Sequence, residues 1–228
     1  MAERAGVTVR ADPAAFIRTH ARLQPVGHAP ELRLHLADDT SPLWRLGESE
    51  LAALGVVDPY WAFAWAGGQA LARHILDHPA LVAGRRVLDF ATGSGIAAIA
   101  AARAGAAEVA AVDIDPLAIT ALGLNAAANA VAVEGICADV IGRDAGWDVI
   151  LAGDVCYERS LAERVIAWLD RLGRRGARVL IGDPGRAWLP RDRLEKLAEY
   201  QVPVARELED MEVRRTAVWQ LRPGPTAG

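Results

Sequence analysis

Val87–Gly105, VLDFATGSGIAAIAAARAG, followed by Val109–Pro116, VAAVDIDP, decides the architecture of this 228-residue chain. Val87, Leu88 and Phe90 make a short apolar run suited to a buried parallel strand. The small residues behind it let the backbone turn tightly into a helix N-terminus. Asp113 ends the next apolar run, 20 residues beyond Gly93. In sheets that bind nucleotides, an acid about 20 residues past the glycine turn meets ribose hydroxyls. The two halves together predict a nucleotide-type pocket built from Asp89, Ala91, Gly93, Gly95 and Asp113; an Ala/Gly-rich helix packed closely on a sheet is the structural alternative.

Charge discriminates among ligands for that pocket. Gly93–Ala98 also fits the loose dinucleotide fingerprint, which keeps a nicotinamide enzyme under consideration. Asp89 opposes it, because a carboxylate facing a pyrophosphate in a partly dry cleft costs on the order of kcal/mol. S-adenosylmethionine instead brings an ammonium and a sulfonium, for which an acid is favourable. The run resembles motif I of the class I, seven-stranded methyltransferases, acid-x-Gly-x-Gly-x-Gly, with Ala91 in place of the first glycine. That replacement is expected to be harmless if Ala91 keeps ordinary dihedrals and its methyl clears the ligand.

Length and composition fit one well-buried α/β domain (59–222), an N-terminal extension (1–58) and a flexible tail (223–228). A net charge of −4 without a dense basic cluster predicts no nucleic-acid partner. Lys196 is the single lysine among 25 basic residues, a bias without a functional reading. Cys137 and Cys156 have no metal or disulfide spacing and are expected to be reduced thiols. Arg and Asp interrupt every apolar run before it reaches the ~18 residues of a membrane span, so no membrane role is expected. The first 20 residues lack a secretory apolar core, and cytoplasmic residence is the expectation, with the mitochondrial matrix as the alternative.

Strands are predicted at Arg86–Phe90, Glu108–Val112, Val133–Ala138, Asp148–Gly153 and Arg178–Gly182. Helices are predicted at Gly95–Ala104, Pro116–Ala128, Ser160–Leu172 and Pro190–Tyr200. This alternation implies a parallel sheet covered on both faces. Upstream, Pro13–Arg22 suits a short helix, Glu31–Leu36 an exposed strand or hairpin arm, and Tyr60–Leu76 a helix capped by Asp58 with Pro59 at its first position, Gly67-Gly68 being a candidate interruption. Val202–Leu208 and Val213–Leu221 read as a closing antiparallel hairpin around Glu209-Asp210-Met211. The fold class is therefore α/β, a Rossmann-like seven-stranded sheet with a terminal antiparallel pair.

Ligands of open α/β sheets bind beyond the carboxyl ends of the strands. Those ends carry Asp89, Asp113, Asp139, Asp154 and Asp183 in turn. Asp115 before Pro116 reads as a helix N-cap instead. Asp139 either makes a turn or accepts from the adenine amine. Asp154-Val155-Cys156-Tyr157 lacks the prolines of the Asn-Pro-Pro-aromatic segment of nucleic-acid amine methyltransferases and resembles the Asp-x-x-Tyr signature of seven-stranded protein-lysine methyltransferases. An aspartate suits a lysine, whose ammonium, with a pKa of about 10.4, needs a charge partner and a route for proton loss. Among the tryptophans, Trp44, Trp147, Trp168 and Trp188 read as core or interface filler, and Trp61 stays open.

Asp58–Leu71, DPYWAFAWAGGQAL, and Ile181–Arg186, IGDPGR, with the closing Thr216-Ala217-Val218-Trp219, resemble the electron transfer flavoprotein beta-subunit lysine methyltransferase family from about Phe16 to Trp219. The resemblance implies methyl transfer from S-adenosylmethionine to lysines of that flavoprotein subunit. It also implies that Trp65 lines the cofactor pocket and that Asp154 and Tyr157 serve the substrate amine. Ala91, and Ala66 where the family often has proline, depart from its pattern without removing a chemical group. A small-molecule N-methyltransferase and a non-catalytic cofactor sensor remain rival readings of the same fold.

Overall fold

The computed structural model describes residues 12–38, 41, 43, 48–56, 58–204 and 213–224. The Asp12 carboxylate accepts the Ala15 N–H and caps α1 (Pro13–His20), whose Phe16 and Ile17 are fully buried. An antiparallel hairpin follows, β1 (Arg22–Pro25) with β2 (Arg33–Leu36), Arg22 facing Leu36 and Pro25 facing Arg33. After α2 (Glu48–Leu54), a 3-10 turn at Tyr60–Ala62 buries Trp61 and leads into α3 (Ala66–Asp77).

The helix expected over Tyr60–Leu76 thus begins at Ala66, with Trp65 and not Asp58 at its N-cap. Phe63 is extended at φ −130°, and the Trp65 indole N–H donates to the Tyr60 carbonyl at 3.0 Å, which closes a separate turn ahead of the helix. Gly67 and Gly68 do not interrupt α3. They are the face on which it meets the sheet.

Beyond α3 the chain alternates as its periodicity predicts: β3 (Arg86–Phe90), α4 (Ile96–Arg103), β4 (Glu108–Asp113), α5 (Pro116–Ala128), β5 (Glu134–Cys137), β6 (Val149–Gly153), α6 (Arg159–Arg174) and β7 (Arg178–Asp183). These five strands are parallel. They join β8 (Leu194–Pro203) and β9 (Val213–Leu221) in the order β5-β4-β3-β6-β7-β9-β8, with β9 antiparallel to both neighbours. Side chains on successive strand residues point to opposite faces. Val87, Val149 and Leu151 pack under α3 and α4, whereas Leu88, Ile150 and Ala152 pack under α6 around Trp168.

Pro190–Tyr200 is not the predicted helix. Most of it is β8, paired residue by residue with β9 from Leu194↔Leu221 to Pro203↔Val213, with a bulge between Lys196 and Ala198. Without β8 the outer edge of β9 would leave a row of unpaired N–H and C=O groups, and that non-local demand outweighs a weak helical propensity. The turn of this hairpin, including Glu209-Asp210-Met211, lies outside the described residues, as does Trp44.

The N-terminal hairpin is fastened to α5 by two buried amides. Asn125 Oδ1 accepts the His35 N–H at 2.7 Å, and Asn129 accepts from the Arg33 N–H and donates to the Arg33 carbonyl. Phe16, Ile17, Leu51 and Trp61 form a third apolar cluster with Leu117, Ala118 and Ala121 of α5. At the other end Pro223 and Gly224 lie on α6, the Gly224 N–H donating to Asp170 at 2.9 Å. Among the described residues, no helix is long and apolar enough to cross a membrane.

Candidate active site

Strand order reverses between β3 and β6, and a cavity opens beyond their carboxyl ends, where open α/β sheets bind ligands. It is lined by Trp65 and Gly68 from the start of α3, Asp89, Ala91 and Gly93 from the loop after β3, and Gly153 and Asp154 from the end of β6, with Phe63 on the near wall. Residues far apart in the chain, read one by one from their positions after apolar runs, therefore share one space.

Asp89 is buried, and its Oδ2 accepts both the Thr92 hydroxyl at 2.6 Å and the Ala98 amide of α4 at 3.0 Å. Burial pushes its carboxyl up to about 7, with those two bonds pulling the other way and the Asp113 charge adding to the rise. Those two bonds do not offset the loss of solvent, and a cationic ligand would supply a counter-charge. Asp113 is stitched into the loop by both oxygens, Oδ2 accepting the Gly93 N–H at 2.9 Å and Oδ1 the Asp115 N–H at 3.0 Å. Asp115 caps α5 as its position before Pro116 predicts, accepting the Leu117 N–H at 2.8 Å.

Ala91 overturns one expectation. It does not keep ordinary dihedrals: its φ is +55°, in the left-handed region that disfavours a β-carbon. The backbone keeps the glycine conformation of the motif, and the alanine bears the strain. Gly93 and Gly95 share that region at +51° and +83°; a β-carbon at Gly95 would also stand 2.5 Å from a Leu122 methyl. Gly95 caps α4 and, like Asp113, stands behind the cavity wall.

Asp154 also has a left-handed backbone, φ +58°, directly after β6. Its Oδ2 accepts the Gly68 N–H at 3.1 Å and its Oδ1 the Arg186 guanidinium at 3.0 Å. Burial raises its carboxyl to about 6; Arg186 pulls it down and Asp183 pushes it up. It does not cap α6, which is capped by Glu158, whose carboxylate accepts from Ser160 and Leu161; through the Gly68 N–H it instead satisfies a first-turn amide of α3. Tyr157 lies outside the lining, about half exposed, with its ring 6.2 Å from that of Tyr60; Tyr60 in turn packs edge-on against Trp65 at 5.8 Å. Asp139 does not line the cavity; it makes an Asx turn, accepting the Ile141 N–H at 2.9 Å, and pairs with Arg164 at 3.3 Å.

Of the sequence candidates, Trp65, Asp89, Ala91, Gly93 and Asp154 border the cavity. Gly95 and Asp113 support it, and Tyr157 and Asp139 stand apart. Missed from sequence were Thr92, Tyr60, Gly68 and Arg186. For Arg186 the available signal was the Asp-Pro-Gly turn at the end of the fifth strand, which returns the chain toward the site. Trp61, Trp147 and Trp168 are core, whereas Trp188 is partly exposed under Arg159. Cys156 is a buried free thiol held up at about 12 by burial, and no metal-binding group of side chains occurs among the described residues.

The site accommodates S-adenosylmethionine on its own chemistry. Asp89 leaves Oδ1 for an ammonium, Trp65 lines the cavity, and the glycine turn leaves space where, among the described residues, only the Tyr60 carbonyl would approach a β-carbon on Gly93.

Residues 70–170 match the family model for ribosomal protein L11 methyltransferase (PrmA). The electron transfer flavoprotein beta subunit lysine methyltransferase of Xenopus laevis is 41% identical over 92% of this chain and 87% of its own length. That of Danio rerio is 40% identical over 84% of this chain and 76% of its own length. A solved magnesium protoporphyrin IX methyltransferase from Synechocystis PCC 6803 with bound SAM matches 68% of this chain and 77% of that one, with a TM-score of 0.50 and 15% identity, a likeness of fold. With its seven-stranded sheet and its identity to these relatives over most of its length, the chain belongs to the electron transfer flavoprotein beta subunit lysine methyltransferase family.

Proposed function

We propose that this protein is an S-adenosylmethionine-dependent protein-lysine N-methyltransferase acting on the beta subunit of electron transfer flavoprotein. The observation that carries the reading is the sharing of one cavity by the glycine turn with Asp89 and by the buried Asp154. S-adenosylmethionine, when bound, supplies a methyl group on a positively charged sulfur. Asp89 and the loop amides hold the donor's polar end, Asp113 fixes the glycine turn through the Gly93 amide, and Trp65 walls the centre. Asp154 receives the substrate ammonium, steers the nitrogen toward the cavity and eases its proton loss, while Tyr157 with Tyr60 forms the channel through which the lysine enters. Holding reacting atoms in line is worth up to ~7–11 kcal/mol, so positioning is the main contribution of these side chains.

Tyr60 and Tyr157 are 48% and 52% exposed at the rim, which supports a macromolecular substrate over a small enclosed amine. The same reading expects no nucleic-acid partner and residence in the cytoplasm, the matrix being the alternative that cell fractionation distinguishes. The functional test is incubation with donor and purified electron transfer flavoprotein, followed by mapping of modified lysines by mass spectrometry. Methyl groups on beta-subunit lysines are expected. An unmodified flavoprotein, with methyl transfer to a small amine instead, would refute the substrate assignment.

A further inference from the structure

Arg186 lies behind the cavity lining and contacts two of its residues, Asp154 and Trp65. The turn after β7 is tied back by Asp183, whose Oδ1 accepts the Gly185 N–H at 2.6 Å and the Arg186 N–H at 2.7 Å. From that anchored backbone the guanidinium donates to Asp154 Oδ1 at 3.0 Å and lies 6.0 Å from the centre of the Trp65 ring. Asp154 needs such a partner. It is nine-tenths buried, and its own backbone lies in an unfavourable conformation. The groups that face it are the Gly68 N–H from α3, Asp183 from the end of β7, the Cys156 thiol and Arg186. Of these only Arg186 carries positive charge, and it acts on two buried acids, Asp154 and Asp183, the Oδ2 of Asp183 being buried without a hydrogen-bond partner among the described residues.

We infer that Arg186 is the positioning residue of this site: it locks the Asp154 carboxylate between the Gly68 amide and its own guanidinium, in the orientation that receives the substrate amine. The two fixed donors take one lone pair on each carboxylate oxygen. An ionised carboxylate offers about four acceptor sites, so one on either oxygen remains for the incoming ammonium. A guanidinium does this better than an ammonium, because its planar fork stays charged and can rest on an aromatic face while it donates. The inference rests on the lysine methyltransferase reading for its catalytic consequence, but the hold on Asp154 is measurable without turnover.

The test compares the wild-type protein with Arg186→Lys and Arg186→Met. In donor-free protein labelled at the aspartate carboxyl carbons, the Asp154 signal, assigned by its disappearance in Asp154→Asn, is titrated by NMR. A midpoint near 6 is expected for the wild type. It should lie about 1 pH unit higher in Arg186→Met, with Arg186→Lys in between. With flavoprotein substrate, kcat of Arg186→Met at neutral pH should drop about 10- to 100-fold, the acid limb of its kcat profile should move to higher pH, and donor Kd from calorimetry should stay within about twofold. An unmoved Asp154 midpoint overturns the inference whatever the activity. A shifted midpoint with unimpaired or faster turnover overturns its catalytic part, making Arg186 an obstruction. A wild-type protein that methylates no flavoprotein lysine, yet shows the midpoint shift, instead refutes the functional reading and leaves the hold on Asp154 standing.

Discussion

Gly67 of α3 and Gly182 of β7 meet backbone to backbone: a β-carbon on either would come within 2.1 Å of the carbonyl oxygen of the other. A β-carbon on Gly67 would also stand 2.6 Å from Asp154 Oδ2. This contact brings the first turn of α3 close enough for the Gly68 amide to reach Asp154, so helix packing and site assembly are one event.

Gly67→Ala should therefore be severely disruptive. The opposing atoms are backbone and cannot rotate away, so α3 must lift from the sheet. A loss of about 3 kcal/mol or more is expected, since overpacking a well-filled interior costs ~1–3 kcal/mol even where side chains can yield. Urea denaturation monitored by circular dichroism measures it.

Ala91→Gly should have the opposite sign. The left-handed backbone at Ala91 costs roughly 1–2 kcal/mol for a residue with a β-carbon, partly offset by the greater unfolded-state freedom of glycine. A net gain of about 0.5–1 kcal/mol is expected in chemical denaturation, with donor affinity maintained.

Asp89→Asn separates stability from binding. The folded carboxyl sits at about 7, above the usual unfolded value of about 3.9, so the folded state holds an extra proton between them. Its contribution is complete below the unfolded value and is lost as pH rises through the folded one. The donor-free wild type should therefore lose stability between pH 5 and pH 8. Asparagine stays neutral and retains an acceptor for Thr92 and Ala98. The variant should be more stable than wild type at pH 8, by on the order of 1–3 kcal/mol, and bind the cationic donor more weakly. Calorimetric melting at both pH values and titration with donor check the two halves.

Asp154→Asn removes the charge that meets the ammonium while leaving an acceptor for Gly68. A fall in kcat of about 100-fold or more, with donor Kd nearly unchanged, is expected. In the wild type kcat should rise with pH through about 6, as the carboxylate ionises, and this limb should vanish in the variant. Lost donor affinity with normal turnover at saturating donor would reassign Asp154 to cofactor binding.

Asn125→Ala tests the link between the N-terminal hairpin and the glycine turn. Its fully buried amide accepts from the His35 N–H and donates to the Ser94 carbonyl at 2.8 Å. Leaving both groups unsatisfied should cost about 2–4 kcal/mol and loosen the loop, seen as faster amide exchange at Gly93 and Ser94.

The parallel strands and the acids at their ends were legible because both are local. A buried strand needs a continuous apolar run, and a residue after such a run emerges at the rim. The same logic found the Asp115 cap and the glycine turn. Pro190–Tyr200 is not legible as a strand from its own residues, because its strand form depends on pairing with β9. Tyr60–Leu76 was read as one helix because nothing in its spacing shows that Phe63 is extended or that Trp65 bonds back to Tyr60.

Sequence by itself determined the α/β order of this protein, its glycine turn and the aspartates available to a cationic ligand, since each depends on neighbours a few residues apart. Tertiary structure alone decided that Ala91 takes the glycine conformation, that Gly67 and Gly182 touch, and that Arg186 grips Asp154. The last two relationships join segments far apart in the chain, which only the closing of the sheet brings within contact, and the turn at Ala91 is pinned by Asp113 of the neighbouring strand through the Gly93 N–H.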